Sequence, residues 1–310
     1  MRKANVWVAV LAAGDGKRVQ SHTLDHRGVS IPKQFWRFDG RRSLLRATLQ
    51  RAHALSPAVR IVPVVAEQHQ PWWERELRGI PRSNIMVQPE NRGTAAGILL
   101  PLLHIFRCDP DALLVVLPSD HAVRHEKILA SSLRDAVVAV EQTPDAAILL
   151  GITPDSPDPE YGWILPRTPA AGATRRVAAF VEKPSLAAAR GLLAGGALWN
   201  SFMFAVTART LLRMFGEHEP EVLGSFLDVL AESPTTSSQA LRGLYRVLPS
   251  RDFSRHILQR STACLRTLAV PACGWLDIGT PARLSSWRQE ARTQSESAPR
   301  FMLDMRRAVA

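Results

Sequence analysis

Cysteine is scarce in this sequence, and its placement excludes two kinds of stabilising chemistry. Only three cysteines occur among 310 residues, and no two of them form a C-x-x-C spacing. Their odd number and wide separation argue against a disulfide framework and against a zinc site. Cys108, Cys264 and Cys273 therefore indicate a chain that works in a reducing compartment.

Long apolar runs are also missing, so the sequence pattern excludes a membrane-spanning helix. The run Val6–Ala13 follows Arg2 and Lys3 and superficially resembles a signal peptide. It is short, however, and cleavage there would remove the glycine-containing segment considered below. We expect a cytoplasmic protein with no membrane partner.

The charge is strongly of one sign but lacks the blocks that are typical of nucleic-acid-binding tails. The formal net charge is +11, yet the longest basic clusters are pairs such as Arg41–Arg42 and Arg175–Arg176. Nucleic acid is therefore an alternative that rests on charge alone, and no recognisable binding motif supports it. Anionic small molecules explain the same charge. Only five of the 39 basic residues are lysines, and the motifs described below contain three of them, Lys17, Lys33 and Lys183.

Apolar segments that alternate with amphipathic ones predict the fold of the first half. With 46% hydrophobic residues, the chain can bury a large core. The pattern predicts an α/β fold with a Rossmann-like, mostly parallel sheet covered by helices on both faces. The predicted strands are Val6–Ala12, Ile61–Ala66, Ile85–Gln88, Leu113–Leu117 and Ala146–Gly151. The predicted helices are Ser43–Leu55, Pro71–Arg78, Thr94–Phe106 and Glu126–Glu141.

Beyond Thr153 the pattern loosens into loops rich in proline and glycine. We expect a mixed second half, with an antiparallel extension and a helical segment laid onto the same sheet. A single domain over 1–292, whose halves divide near residue 153, would then be followed by a C-terminal tail over 293–310. The predicted elements are strands at Tyr161–Leu165, Val177–Val181 and Met203–Val206, a helical segment at Ala208–Leu230 and a loop at Glu232–Gln239.

The segment Val10–Val19 places Gly-Asp-Gly-Lys-Arg directly after the first predicted strand. Small residues there let the backbone turn sharply and approach a ligand, and ligands of such sheets bind at the carboxyl ends of the strands. The segment is neither a Walker A loop nor a clean G-x-G-x-x-G motif. Taken alone, it is explained more simply as a polar turn after a buried strand.

Charged and amide side chains follow several other predicted strands and turns. Lys33 lies in a proline-fixed turn, and Asp120 follows a Val/Leu strand. Each such residue has a structural explanation of its own, such as a helix cap, a solvated ion pair or a turn amide. Their order along the chain is more informative than any one of them. The remaining members of the set are Glu182, Lys183, Asn200 and Asp277.

Together, these motifs resemble those of the sugar-1-phosphate nucleotidyltransferases, and within that family the mannose-1-phosphate guanylyltransferase branch most closely. The family's opening L-A-G-G-x-G-T-R-L signature is similar to Leu11–Val19. P-K-Q-F and F-V-E-K-P are present unchanged as Pro32–Phe35 and Phe180–Pro184. The resemblance covers about residues 6–285. Its further motifs correspond, with substitutions, to Gln88–Ala95, Pro118–His121, Pro159–Ile164, Trp199–Phe204 and Gly274–Gly279.

The resemblance implies a nucleotide-diphospho-sugar transferase fold and a specific reaction. An oxygen of mannose 1-phosphate would attack the α-phosphorus of GTP, giving GDP-mannose and pyrophosphate with Mg²⁺ as the cofactor. The nucleotide-binding half would span about 1–153 and the sugar-phosphate-binding half about 154–292, with no additional β-helix or cupin domain. The implied partners are these small molecules, not nucleic acid, and the resemblance is compatible with a homodimer.

The resemblance also implies roles for single residues, most of them cationic or able to approach phosphate closely. The implied catalytic residues are Arg18, Lys33, Asp120 and Lys183, and the implied metal ligands are Asp120 and Asp277. The residues implied to bind the sugar phosphate are Gly162, Glu182, Lys183 and Asn200. The residues implied to bind the nucleotide are Leu11, Ala13, Gly14, Gly16, Lys17, Gln88, Arg92 and Thr94.

Several positions depart from the family's pattern. Lys17 replaces a threonine, Gln88 and Gly93 replace a glutamate and an asparagine near the implied base, and Phe202 replaces a glycine on the sugar side. The S-I-D-Y-A-V-M-E motif survives only as a remnant around Asp252–Gln259. These departures leave open another base or another hexose. A relative that binds nucleotide sugar without catalysis is the second alternative, although a pure binder has little need of two metal carboxylates.

Overall fold

The computed structural model describes residues 5–37, 40, 42–168, 172–232 and 238–287. The predicted tail over 293–310 and the middle of the predicted loop Glu232–Gln239 lie outside these residues. The strands are β1 (Val6–Ala12), β2 (Ile61–Ala66), β3 (Met86–Gln88), β4 (Leu113–Pro118), β5 (His121–Ala122), β6 (Ala147–Ile152), β7 (Gly162–Pro166), β8 (Arg175–Glu182), β9 (Leu198–Thr207), β10 (Leu265–Val270) and β11 (Leu276–Asp277). The helices are α1 (Leu44–His53), α2 (Gln70–Glu76), α3 (Gly93–Cys108), α4 (Glu126–Gln142), α5 (Leu186–Ala194), α6 (Ala208–His218), α7 (Pro220–Glu232), α8 (Ser238–Val247) and α9 (Phe253–His256).

Nine of the described strands form one sheet, in the order β3-β2-β1-β4-β9-β6-β10-β8-β7. Strands β3, β2, β1 and β4 run parallel, as the fully buried, Val-rich sequences of β2 and β4 predict. In the other half, β10 is parallel to β6, whereas β9, β8 and β7 pair with their neighbours in antiparallel fashion. The predicted α/β class, with a parallel first half and a mixed second half, is confirmed.

Strand β9 has a more central place than an extension of the sheet would give it. It runs from Leu198 to Thr207 and lies between β4 and β6, antiparallel to both. Its pairing with β6 shifts register between Leu149 and Gly151, which marks a bulge in the ladder. The second half of the chain therefore supplies a strand to the middle of the sheet, next to the strands of the first half.

Some elements differ from the predicted ones. Helices α6 and α7 replace one predicted segment over Ala208–Leu230, because Pro220 cannot continue α6 and instead begins α7. Helix α8 begins at Ser238, inside the predicted loop. Helix α5 and strand β10 have no counterpart among the predicted elements. Strand β10 contains Arg266 and Thr267, so it lacks the continuous apolar run that marks β2 and β4.

Apolar side chains pack on both faces of the sheet. One core joins the sheet to α3, α6, α7 and α8, with Leu99, Phe215 and Tyr245 among its buried members. The other joins the sheet to α1, α2, α4 and α5, through side chains such as Leu49 and Leu133. Helices therefore cover both faces, as the alternation of strands and helices predicts. None of the described helices has the length and apolar character needed to cross a bilayer.

The carboxyl ends of β1 and β4 bring two loops together. In the parallel register Leu11 lies beside Pro118, and the Ser119 hydroxyl donates to the Leu11 carbonyl oxygen at 2.7 Å. A separate antiparallel pair, β5 and β11, places Asp277 opposite His121. Side chains that are far apart in the sequence therefore meet at one edge of the main sheet.

Gly93 begins α3 with φ +82° and lies against the backbone of Arg251. A Cβ at residue 93 would come within 2.2 Å of the Arg251 carbonyl oxygen, which accepts a hydrogen bond from the Ala95 N–H at 3.0 Å. The left-handed backbone and the close contact both require glycine. The departure from the family's asparagine at this position thus follows from the packing of α3 on the segment before α9.

Replacing Gly93 with alanine is expected to lower the free energy of unfolding by roughly 2 kcal/mol or more, because left-handed strain adds to a steric clash. Gly97 lies one turn further along α3 and is the matched control, since a Cβ there meets nothing closer than 3.8 Å. Gly97→Ala should change stability by less than about 1 kcal/mol. Urea unfolding measures both variants, and equal effects would contradict the packing explanation.

Candidate active site

A cleft of about 300 Å³ opens at this edge of the sheet. Its wall combines the loop after β1, the start of α3, the loop after β4, the ends of β8 and β9, the start of α9, and β11. The predicted site residues that line it are Leu11, Ala13, Gly14, Gly16, Lys33, Gln88, Thr94, Asp120, Gly162, Glu182, Asn200 and Asp277. The predicted site residues that lie outside this lining are Lys17, Arg18, Arg92 and Lys183.

The loop after β1 is held in place by the Pro32–Phe35 segment. The Gln34 side-chain amide is buried and donates to the carbonyl oxygens of Ala12 and Gly14, both at 2.9 Å. Gly16 has φ +61°, and a Cβ there would lie 2.9 Å from the Lys33 Cβ. A Cβ at Gly14, by contrast, would meet no atom within 4 Å. The Gln34 hydrogen bonds therefore fix the loop, while the space beside Gly14 stays open, which suits close approach of a phosphate.

Lys33 lies between two carboxylates at the end of the cleft. Its ammonium donates to Asp120 Oδ2 at 3.1 Å and to Asp277 Oδ1 at 2.7 Å, while only 4% of its side chain is exposed. Burial alone would lower the pKa of Lys33, but the charges of Asp120 and Asp277 raise it above its usual value. The ammonium therefore stays charged and pairs with both carboxylates.

Asp120 stays ionised for the complementary reason. Burial opposes the charge on this carboxyl, but the Lys33 ammonium and its hydrogen bond outweigh burial and lower the pKa of Asp120 to about 2. The sequence expectation that this carboxylate stands at the sheet's edge agrees with its position here. The alternative that Asp120 caps the following helix does not hold, because the residue before α4 is His125.

His121 lies next to Asp120 in the cleft and was not among the predicted site residues. Trp275 Nε1, which can only donate, lies 3.2 Å from His121 Nδ1. Burial lowers the pKa of His121, so the ring is neutral and its hydrogen is on Nε2, 3.5 Å from Asp120 Oδ1. In this tautomer Nε2 has no lone pair to offer a metal ion.

Asp120, His121 and Asp277 each present a ligand atom, and these atoms lie within 4.8 Å of one another. The histidine tautomer leaves the two carboxylates as the ligands, and hard divalent cations prefer oxygen ligands. The buried Lys33 ammonium, held by both carboxylates, shows that this position already favours positive charge. The donor set therefore fits a divalent cation held by Asp120 and Asp277.

Gly162, Glu182 and Asn200 also line the cleft. A Cβ at Gly162 would lie 2.6 Å from Glu182 Oε2 and 3.3 Å from the Asn200 Cβ, so a larger residue here would displace the Glu182 carboxylate. Asn200 Oδ1 accepts a hydrogen bond from the Phe202 N–H at 3.1 Å, which confirms a turn role for this amide. Within the described residues, Asn200 Nδ2 remains available to a ligand. Burial raises the pKa of Glu182 to about 7, and the Asp252 carboxylate acts in the same direction.

Phe202, the residue that replaces the family's glycine, keeps a glycine-like backbone. Its φ is +59°, and Lys183, with φ +49°, is the other described non-glycine residue with positive φ. The Phe202 ring lines the cleft and packs edge to face on Phe253, with ring centroids 6.2 Å apart. Strained backbone of this kind is typical of functional sites. The substitution therefore adds a ring to the cleft wall without changing the turn.

Gln88 is held in place by Tyr245, a residue that no sequence pattern indicated. Gln88 is buried, and its Nε2 donates to the Tyr245 hydroxyl at 2.8 Å. Tyr245 belongs to α8, which follows residues that the sequence predicts as a loop. Arg92, in the same segment, donates to the Tyr245 carbonyl oxygen at 2.6 Å and to Glu90 at 2.7 Å. Arg92 thus ties α8 to the start of α3, away from the cleft.

The other cations outside the lining are exposed. Arg18 has 56% of its side chain exposed and donates to Glu160, a cleft residue, at 2.6 Å. Lys17 is 79% exposed and lies 3.6 Å from Asp15. Lys183 is also exposed, next to Glu182. Of these three, Arg18 contacts a residue of the cleft lining, whereas Lys33 is a buried cation within the lining.

The chain matches a family model described as nucleotidyl transferase over residues 8–294. The xanthan biosynthesis protein XanB of Xanthomonas campestris is 35% identical over 222 residues, which cover 71% of this chain and 46% of that protein. The mannose-1-phosphate guanylyltransferase ManC of Salmonella typhimurium is 31% identical over 320 residues, which cover 94% of this chain and 61% of that protein. The chain thus spans about half of the length of these curated relatives.

A solved structure supports the same relationship. The crystal structure of a protein described as mannose-1-phosphate geranyltransferase, from Thermus thermophilus, has a TM-score of 0.76 and 28% sequence identity. The match covers 89% of this chain and 76% of that one. Because the family model covers nearly the whole chain and relatives exceed 30% identity, this chain belongs to the nucleotidyl transferase family.

Proposed function

We propose that the protein transfers a nucleotidyl group from a nucleoside triphosphate to a sugar 1-phosphate, with GTP and mannose 1-phosphate as the substrates. The observation that carries this proposal is the buried Lys33 ammonium between Asp120 and Asp277, beside an open glycine loop. This arrangement suits the transfer of a charged phosphoryl centre. The guanylyltransferase ManC, at 31% identity, supports the choice of substrates.

The loop Ala13–Gly16 and two cations would bind the triphosphate. The backbone can approach a phosphate at Gly14, where no neighbouring atom intervenes. Lys33 would face the phosphates from within the cleft. Arg18 would reach them from the rim by exchanging Glu160 for a phosphate oxygen, since both are anionic partners of the same guanidinium. Charge on the departing pyrophosphate would thereby be offset.

Asp120 and Asp277 would hold Mg²⁺, because the two carboxylates converge there and the hydrogen on His121 Nε2 leaves that nitrogen no lone pair for a metal ion. The ion, when bound, would supply positive charge to phosphate oxygens. His121 would keep Asp120 oriented through its Nε2 hydrogen. The chain's contribution is thus a pair of converging carboxylates, and the pKa of about 2 keeps Asp120 charged near neutrality.

Glu182 and the Asn200 amide would bind sugar hydroxyls over the floor made by Gly162. Asn200 Oδ1 already accepts from the Phe202 N–H, and Asn200 Nδ2 would donate to the sugar. Glu182 can accept from hydroxyls once ionised. Lys183, exposed beside Glu182, would bind the phosphate of the sugar. Gln88 and Thr94, on the opposite side of the cleft, would face the nucleobase.

The transfer requires no nucleophile from the protein. An oxygen of the sugar phosphate forms a bond to the α-phosphorus, and the bond from that phosphorus to the bridging oxygen of pyrophosphate breaks in line with it. The electron pair leaves with pyrophosphate, so no residue is modified. Catalysis then rests on holding two anionic substrates together, where unit charges 4 Å apart repel by about 4 kcal/mol at an effective dielectric near 20.

Pyrophosphate release in the presence of Mg²⁺ tests the proposal directly. GTP, ATP, UTP, CTP and dTTP would each be combined with mannose, glucose, galactose and fucose 1-phosphates. We expect release with GTP and mannose 1-phosphate. Release with another pair alone would keep the transfer reaction and change the substrates, whereas binding of nucleotide without release from any pair would contradict catalysis.

Asp120→Asn is expected to reduce turnover by about 100-fold or more, because it removes a charge that both Lys33 and the proposed cation require. The matched control is Asp111→Asn, since Asp111 is exposed and pairs with Arg209 outside the cleft. The control should retain full turnover, and circular dichroism should show that both variants are folded. Normal turnover of Asp120→Asn would show that this carboxylate has no part in the reaction.

Glu182→Gln is expected to stabilise the protein at alkaline pH. The pKa of Glu182 is raised to about 7 from an ordinary value of 4.5, so the buried carboxyl stabilises the fold below about pH 4.5 and loses this effect as the pH rises through 7. At pH 8 the variant should therefore be more stable than the natural chain by about 1–3 kcal/mol, with little difference at pH 4.5.

Urea unfolding between pH 4.5 and 8 measures this difference. The control is Glu141→Gln, on the exposed side of α4, which should show no such trend. The same Glu182→Gln variant should bind sugar 1-phosphate more weakly. A stability difference that does not grow with pH would mean that Glu182 ionises as an ordinary surface carboxyl.

A further inference from the structure

Arg283 lies outside every motif of the sequence, yet it is nearly buried beside the proposed metal carboxylate. It belongs to a short helical segment over 281–287 that follows β11. Thr280 caps the start of this segment, because its Oγ1 accepts a hydrogen bond from the Arg283 N–H at 3.3 Å. Only 13% of its side chain is exposed. The cap and the burial fix where the guanidinium points.

The Arg283 guanidinium has three partners. Nη1 lies 3.4 Å from Asp277 Oδ2, and Nη2 donates to Asp158 Oδ2. The flat face of the group lies over the Tyr161 ring, with Cζ 4.1 Å from the ring centroid. A planar guanidinium can satisfy two carboxylates in its plane while stacking on a ring, and a lysine ammonium cannot.

One side of this arrangement fixes Asp277. Lys33 holds Asp277 Oδ1 at 2.7 Å, and Arg283 holds Oδ2 at 3.4 Å, so each carboxylate oxygen faces a different cation. Rotation of the carboxylate would break both contacts at once. Gly279 leaves room for this geometry, since a Cβ there would lie 2.8 Å from Asp277 Oδ2.

Through its contacts with Asp158 and Tyr161, Arg283 also holds the segment Asp158–Gly162, which leads into the proposed sugar-binding part of the cleft. Asp158 accepts from the Glu160 N–H at 2.8 Å through its side chain and from Trp163 Nε1 at 3.0 Å through its carbonyl. Tyr161 packs on Trp199, with ring centroids 4.6 Å apart. Gly162 follows directly and begins β7. The position of this segment therefore depends on the same guanidinium as the orientation of Asp277.

We infer that Arg283 is a positioning residue that orients Asp277 toward the divalent cation and couples this carboxylate to the sugar-side segment Asp158–Gly162. The predicted effect of Arg283 on catalysis rests on the proposed function. Its predicted effect on cation binding does not, because Asp277 can bind a cation without any substrate. Loss of the planar group, with the charge kept, should weaken cation binding and sugar-phosphate binding together and leave nucleotide binding nearly unchanged.

The first test compares Arg283→Lys with Arg266→Lys. Arg266 is a partly buried arginine of β10 that donates to the Thr174 hydroxyl at 2.9 Å and to its carbonyl oxygen at 3.0 Å, outside the cleft lining. Mn²⁺ serves as the probe, because it prefers the same oxygen ligands as Mg²⁺ and its binding is read by electron paramagnetic resonance without turnover. Arg283→Lys should raise the Mn²⁺ dissociation constant 5-fold or more, and Arg266→Lys should leave it unchanged.

Kinetics supply the second readout. Arg283→Lys should raise the KM for sugar 1-phosphate about 5-fold or more while the KM for the nucleotide changes less than about 2-fold. A merely structural role would lower stability and activity without this separation. Unchanged Mn²⁺ affinity in Arg283→Lys, or an equal loss in Arg266→Lys, would overturn the inference.

Asp158→Asn tests the coupling without removing the arginine. This variant should weaken Mn²⁺ binding by a smaller factor, and the double variant Arg283→Lys with Asp158→Asn should bind Mn²⁺ no more weakly than Arg283→Lys alone. Additive effects would overturn the coupling. If the natural chain binds Mn²⁺ but releases no pyrophosphate from any substrate pair, the proposed function fails, and the comparison of Mn²⁺ affinities still decides the role of Arg283.

Discussion

The ion cluster of Lys33, Asp120 and Asp277 is the constraint around which the rest of the cleft is arranged. Burying a single charge is strongly unfavourable, whereas charges that pair and hydrogen-bond can be accommodated. Lys33, the buried member of the cluster, is therefore tolerated because both carboxylates pair with it. The elements that carry them are a turn after β1, the end of β4, and β11, so the cluster specifies how three remote segments meet. The cluster retains one net negative charge, which leaves it receptive to a further cation.

The central position of β9 explains how both halves of the chain contribute to one cleft. Strands β1 and β4 bring the glycine loop and Asp120 to the cleft, and β9, paired directly with β4, brings Asn200 and Phe202. The bulge beside Gly151 and the positive φ of Phe202 shape the backbone where these residues line the cleft. A strand at the sheet's outer edge would not pair with β4, so Asn200 and Phe202 would lie farther from Asp120.

Local sequence patterns predicted much of this structure and failed where remote contacts decide the outcome. The parallel strands were predictable because their apolar runs are continuous, and Lys33, Asp120, Glu182 and Asn200 were predictable from motif order. The pairing of Gln88 with Tyr245 was not, because 157 residues separate them and α8 carries no motif. Arg92 was predicted to bind the nucleotide, and in the described structure it donates to carbonyl groups of α8. Motif order alone did not indicate this contact. Arg283 was not predictable from a motif either, since two of its three partners, Asp158 and Tyr161, come from a remote part of the chain.

The place of β9 between β4 and β6 also has a consequence for biosynthesis. Strand β4 is complete by residue 118, but the strand that covers its open edge is not made until residue 207 has left the ribosome. During that interval a fully apolar strand exposes unpaired backbone groups, which is the usual template for aggregation. The edge of β4 that β9 later covers is therefore open to pairing with other strands between these two points of translation. The hydrogen bond between Lys33 and Asp277, which lie 244 residues apart, can form only after both strands have been synthesised.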